Sequence, residues 1–382
     1  MPFLGYAANF LWVLVLGLLG PAVPAIRADL GIGRPQAGLF FSLLALGSLF
    51  GTFLGGLASD SLPRKTLFAG IALLLGAGLA GVALAPSYAL ILVAIFIMSL
   101  VGSPAGVVGQ SILLDMHPER RARLLSIQTM FASVGSLTAP LLVSANVTPE
   151  QPWRWRWAFA QAGALAVLLF LGILLTRLPA RRSAGRPRGA LGRVLASRRV
   201  WLAAALIFFS VSADLGFSYW LAEHFRTELG VGLRLSSAVV SLFLVGMIGG
   251  RLATSRLVRA WPALRLVQGG LALSLASLVV FLACPWIAVK LAAVVTYGLG
   301  TAPVFPLLMA GGTEGFPDCP GVASGVLFAA VSLGGMVFPL MLGAAAASVG
   351  IRGAYLIVGG VLAGLLAAVS LSRRALFTRA DA

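Results

Sequence analysis

The chain has 382 residues, of which 59% are hydrophobic and only 10% charged, with a mean hydropathy of +1.00. So little polar surface cannot enclose a soluble core, and the chain reads as an integral membrane protein. The formal net charge of +17 does not mark a nucleic-acid binder, because the arginines sit in short breaks between apolar runs and not along one soluble face.

A spanning helix needs about 20 apolar residues. Runs of that kind predict six helices near 4–26, 36–58, 66–85, 88–112, 124–146 and 157–176. Six more follow near 200–222, 235–256, 264–283, 286–310, 321–347 and 352–371. The first run lacks a basic leader and is long enough to span, so it is expected to stay as a helix. Between the two sets, 177–199 carries Arg177, Arg181, Arg182, Arg186, Arg188, Arg193, Arg198 and Arg199 and no acid. Such a stretch cannot enter hydrocarbon and is expected to face anionic cytoplasmic lipid. The expected organisation is therefore a six-helix bundle over 1–176, a basic linker over 177–199 and a second six-helix bundle over 200–382. With this count the inner loops and tails hold 20 of the 28 basic residues, Arg251 among them, which places both termini in the cytoplasm. Cys284 and Cys319 then fall on opposite sides of the membrane and cannot form a disulfide.

The two halves are copies. Pro63, Pro86, Pro104, Pro118 and Pro140 return 199 residues later as Pro262, Pro285, Pro303, Pro317 and Pro339. The same offset carries Gly47 to Gly246, Gly51 to Gly250, Ser133 to Ser332 and Gly135 to Gly334. Because it spans an even number of helices, the copies share one orientation in the membrane and form parallel repeats.

Between the second and third spans the chain reads Gly56-Leu-Ala-Ser-Asp60-Ser-Leu-Pro63-Arg64-Lys65. This resembles the inner-loop motif of the major facilitator superfamily, G-x-x-x-D-R-x-G-R-K, with Ser61 and Pro63 as departures. The resemblance covers the whole chain and implies an all-α membrane fold of twelve helices in two pseudo-symmetric bundles. It also implies an inner gate made by Gly56, Asp60, Arg64, Lys65, Asp115 and Glu314, the last two related by the 199-residue offset; flanking charge that only fixes topology is the competing reading. A narrower likeness to the fucose and hexose permease branch runs through 109–140 and 212–232, with Gln110 and Thr129 standing where that branch has Asn and His. Gly135-Ser-Leu-Thr-Ala139-Pro140 partly resembles a drug-antiporter signature, but the fourth span lacks that signature's companion arginine.

Asp214 is the one acid well inside an expected span. A charge at a helix centre costs about 2.5–3.5 kcal/mol on insertion scales, so it faces the bundle interior or water. Desolvation in general favours a neutral carboxyl, which suits a proton-coupling group. If the seventh helix broke near Gly216, Asp214 would instead be a rim group that only forms hydrogen bonds. Asn9, Trp12, Gln110, Gln128, Thr129, Tyr219, Trp220, Tyr297 and Thr301 supply amides, hydroxyls and rings for a central cavity, or serve as interhelical glue. Glu223 and His224 read as flanking residues beyond the seventh helix, and Arg251 as a group snorkelling to phosphate.

These readings predict a monomeric carrier of a small, neutral, sugar-like solute, moved by alternating access in a bacterial inner membrane, either coupled to a proton on Asp214 or working as an uncoupled facilitator. Efflux of amphiphilic compounds is the alternative. No cofactor, metal cluster, paired catalytic groups or nucleic-acid surface is expected.

Overall fold

The computed structural model describes residues 2–105, 108–109, 121–176, 190–316 and 319–372. Gln110, Asp115 and most of the basic linker lie outside the described residues, and for Gly56, Asp60 and Arg64 only the backbone is described.

The described chain is helical throughout. The first half comprises α1 (Pro2–Leu30), α2 (Arg34–Ser61), α3 (Arg64–Leu84), α4 (Tyr88–Gly102), α5 (Arg121–Asn146) and α6 (Trp155–Leu174), followed by a short α7 (Ala190–Leu195). The second comprises α8 (Arg198–Thr227), α9 (Leu233–Leu257), α10 (Ala263–Ala283), α11 (Ile287–Thr301), α12 (Val304–Thr313) and α13 (Pro320–Leu371). Ten of the described helical segments are long and apolar enough to cross a membrane, α11 and α12 together forming one of them, and Tyr88–Gly102 is a shorter apolar helix. Helix α13 is two helices joined at Gly350, whose φ of 72° and ψ of 163° interrupt the coil. Only glycine adopts that backbone without strain. With that division the described helices give the twelve expected spans.

Contacts divide the chain into two units, one of Met1–Ala184 with Leu221–Ala238 and one of Gly185–Trp220 with Val239–Ala382. In the first unit α1 packs against α5, α2 against α4, and α3 against both α4 and α6. In the second, α10 packs against α11 and α13.

The duplication is visible in the packing. Pro104 has no N–H to give the carbonyl of Leu100, four residues back, and a Cβ built on Gly51 of α2 would run into that oxygen. In the other unit Pro303 stands in the same relation to Leu299, and a Cβ on Gly250 of α9 would strike the Leu299 carbonyl. The bend made by each proline thus aims a carbonyl at a glycine of the neighbouring helix, where only a hydrogen on Cα fits. The helix ends are also treated alike. Arg156 donates to the carbonyls of Ala83 and Ala85 at the end of α3, at 3.2 and 2.6 Å, and Arg352 donates to Leu282 near the end of α10 at 2.9 Å. Each cation meets the negative end of a helix dipole.

One boundary differs from expectation with consequence. Helix α8 continues unbroken through Gly216 to Thr227, so Glu223 and His224 lie within it, each 1% exposed, and are not flanking residues. Helix α9 ends at Leu257, close to the expected boundary, and Arg251 lies within its last two turns. The change in α8 follows from a helix that carries polar residues in its last turns, where apolar run length underestimates helix length.

Candidate functional site

Asp214 sits near the middle of α8 in the second unit and is half-buried. Its carboxyl lies by the side chain of Thr301 and within electrostatic reach of Arg251. Thr301 is the last residue of α11, where the chain turns toward Pro303, and is 3% exposed. Its hydroxyl is also 3.3 Å from the carbonyl of Gly298. Because a hydroxyl has one hydrogen, Thr301 can donate to an ionised Asp214, or accept from a protonated Asp214 while donating to Gly298. Arg251, on α9, is exposed, and among the described residues its guanidinium hydrogen-bonds the sulfur of Met247 at 3.5 Å, a weak acceptor.

Behind this group lies a block of aromatic rings. Tyr297 stacks on Phe217 with centroids 4.0 Å apart, and its hydroxyl donates to the carbonyl of Ala213 at 3.3 Å. Tyr355 donates to the carbonyl of Phe217 at 3.0 Å. Phe243 and Phe281 close around the same rings. Two hydroxyls from α11 and α13 therefore hold the backbone of α8 on either side of Asp214, which fixes the height at which its carboxyl emerges. Trp220, further along α8, is 1% exposed and donates to the carbonyl of Pro339 at 3.1 Å. Its indole is committed to holding α8 against α13. Tyr219 is half-buried.

In the first unit Asn9 donates to the carbonyl of Gln128 at 3.1 Å, which joins α1 to α5. Gln128 is buried and Thr129 exposed. Trp12 is 8% exposed and fills the space over Gly102. Of the expected cavity residues, then, Asp214, Tyr297 and Thr301 come together in one unit, and Asn9 and Gln128 in the other. Of the expected gate residues, Lys65 donates to the carbonyl of Leu174 at 2.7 Å, capping α6. Glu314 pairs with Arg199 at 2.5 Å.

Arg251 lies inside α9, and its electrostatic reach to Asp214 is the feature that the sequence pattern did not reveal.

Sequence comparison decides the family. The profile described as Major Facilitator Superfamily matches residues 5–339. The chain belongs to the major facilitator superfamily. It is therefore a multi-pass membrane transporter by family and not an enzyme. Among curated relatives it is similar to the Protein TsgA homolog of Erwinia tasmaniensis, with 24% identity over 282 residues, 72% of this chain and 68% of that protein. It is also similar to the Putative metabolite transport protein YwtG of Bacillus subtilis, with 27% identity over 45% of this chain and 37% of that one. A third relative, the Probable polyol transporter 4 of Arabidopsis thaliana, shares 37% identity over only 20% of this chain and 15% of that one.

Solved superfamily structures share the fold. A bacterial homologue of the human lysosomal transporter Spinster superposes with a TM-score of 0.82 at 17% identity, covering 99% of this chain and 96% of that one. A D-xylose-proton symporter gives 0.80 at 16% identity, over 100% and 98%. The Escherichia coli fucose:proton symporter FucP gives 0.62 at 19% identity, over 97% and 98%. At these identities the likeness concerns fold alone.

Proposed function

We propose that this superfamily member takes up a small sugar-like organic solute across a bacterial inner membrane, coupled to a proton on Asp214. In this reading 1–176 and 200–382 are the two bundles that alternate access. The basic linker 177–199 lies on the cytoplasmic side with both termini, and the carrier works as a monomer.

The observation that supports the reading is an acid, Asp214, in the middle of a spanning helix with the Thr301 side chain by it. An acid at that depth is retained at a cost in insertion free energy and marks a proton or solute path. Thr301 can satisfy Asp214 in either protonation state, so neither state leaves a polar group stranded. Similarity to proteins named as polyol and metabolite transporters, and a fold shared with a D-xylose-proton symporter, point to hydroxylated solutes.

Proteoliposomes under an imposed inward proton gradient, offered labelled sugars and sugar derivatives, test the reading. Accumulation should collapse when the gradient is dissipated. Asp214→Asn should abolish uphill accumulation and leave solute exchange intact; full accumulation by the variant would remove Asp214 from the coupling step. Extrusion of amphiphilic dyes in the same vesicles would support efflux instead.

A further inference from the structure

Arg251 puts a cation within electrostatic reach of Asp214, which bears on the charge of the solute. Its guanidinium carries five N–H donors in a planar fork. Within 4 Å of it no carboxylate oxygen stands among the described residues, and its recorded partner is the Met247 sulfur. It is exposed on α9, next to Gly250, which packs against Leu299 and Ala302 on either side of Thr301, and it lies within electrostatic reach of Asp214. The other titratable group facing Asp214 is Tyr297 of α11, whose hydroxyl is occupied by the Ala213 carbonyl.

We propose that Arg251 binds the carboxylate of a singly charged organic anion, so that the solute is a small organic acid such as a sugar acid and not a neutral sugar. The inference rests on Asp214 being the coupling acid. With Asp214 ionised, the Asp214 and Arg251 charges cancel and the empty site is neutral. When Asp214 takes up a proton, forming one O–H bond at its carboxylate, Arg251 is left as an uncompensated cation in the membrane interior. A monoanion from the same side restores neutrality, and the fork matches a carboxylate with two parallel hydrogen bonds.

The empty and the doubly loaded sites are thus both neutral, whereas a site holding only the proton or only the anion carries a net charge. Charge in the membrane interior is unfavourable, so reorientation is confined to the two neutral states. That confinement is itself the coupling, and it makes transport electroneutral. A dianion such as a phosphate ester would leave the loaded site negative and is disfavoured by the same count.

The test uses the purified full chain in nanodiscs, with thermal stability read against matched pairs at fixed pH and ionic strength. The probes are D-gluconate and D-glucuronate against D-glucose, and D-lactate against 1,2-propanediol. At least one carboxylate should raise the melting temperature where its neutral counterpart does not. Arg251→Gln should weaken that effect by about tenfold or more, and Arg251→Lys by less, because it keeps the charge and loses the fork. Variants are compared only if each elutes as the wild type does on gel filtration; if Arg251→Gln does not, Arg251→Lys alone must show the weakening.

Stabilisation by neutral members only, by none of the carboxylates, or by carboxylates with equal strength in Arg251→Gln would overturn the inference. The carrier reading fails separately. Proton-driven uptake of a neutral sugar that survives Arg251→Gln would dismiss the carboxylate and keep the carrier, while uphill accumulation surviving Asp214→Asn would dismiss the coupling acid itself.

Discussion

Arg27, near the end of α1, is ion-paired with Glu223, in the last turns of α8, and the carboxylate side chain is only 1% exposed. Arg34 at the start of α2 brings its Nε to 3.5 Å from the same oxygen, and donates from a terminal nitrogen to the hydroxyl of Thr227 at 3.2 Å. All four residues belong to the first unit, because Leu221–Ala238 is counted with it. A carboxylate removed from water is tolerated here because two guanidinium groups face it.

Glu223→Ala should therefore be among the most destabilising substitutions in the protein. Removing the acid leaves two cations facing one another, and breaking a buried pair of this kind costs about 3–5 kcal/mol. The melting temperature of the detergent-solubilised protein is the readout. Arg34→Gln should cost less, since Arg27 still neutralises Glu223. A Glu223→Ala variant as stable as the wild type would mean that the pair is dispensable.

By contrast Glu314→Gln should change stability little. Its partner Arg199 is 24% exposed and Glu314 itself 36%, and exposed pairs contribute about 0–1 kcal/mol. If the pair belongs to an inner gate, the substitution should instead alter solute flux in proteoliposomes at nearly unchanged melting temperature.

Gly249 and Gly250 offer a test in adjacent residues. A Cβ on Gly250 would collide with the Leu299 carbonyl and the Ala302 side chain, whereas one on Gly249 meets nothing within 4 Å. Gly250→Ala should destabilise by about 1–3 kcal/mol through overpacking. Gly249→Ala should be neutral or stabilising by up to about 1 kcal/mol, because alanine loses less freedom in a helix. Equal effects at the two positions would deny the close approach of α9 and α11.

The proposed orientation has its own check. Cys284 follows the last residue of α10 and is partly exposed, while Cys319 precedes α13 and is buried. A membrane-impermeant maleimide applied outside intact cells should label Cys284, and labelling should vanish in Cys284→Ser. Labelling of Cys284 only in inverted vesicles would reverse the topology.

Much of this architecture could be read from the sequence. Run lengths place every described span to within a few residues, and the recurrence of five prolines announces the duplication that Gly51 and Gly250 then display as matching contacts. Two kinds of feature were less legible. Polar last turns hide where a helix ends, which is why Glu223 and His224 were assigned to the flank of α8. Partners brought together only by folding, such as Arg27 with Glu223 or Thr301 with Asp214, leave no local pattern, since nothing in the spacing of a single helix reveals what its neighbour presents.

The 199-residue correspondence carries one more consequence. Asp214, Arg251, Tyr297 and Thr301 answer to Val15, Thr52, Met98 and Gly102 in the first copy, and the place over Gly102 is taken by the ring of Trp12. The scaffold is written twice and the charge chemistry once. Equivalent substitutions should accordingly behave as twins at the glycines and as strangers at these four positions. Two copies of the first half would repeat the packing with Val15 in place of Asp214, and two copies of the second would carry that acid twice.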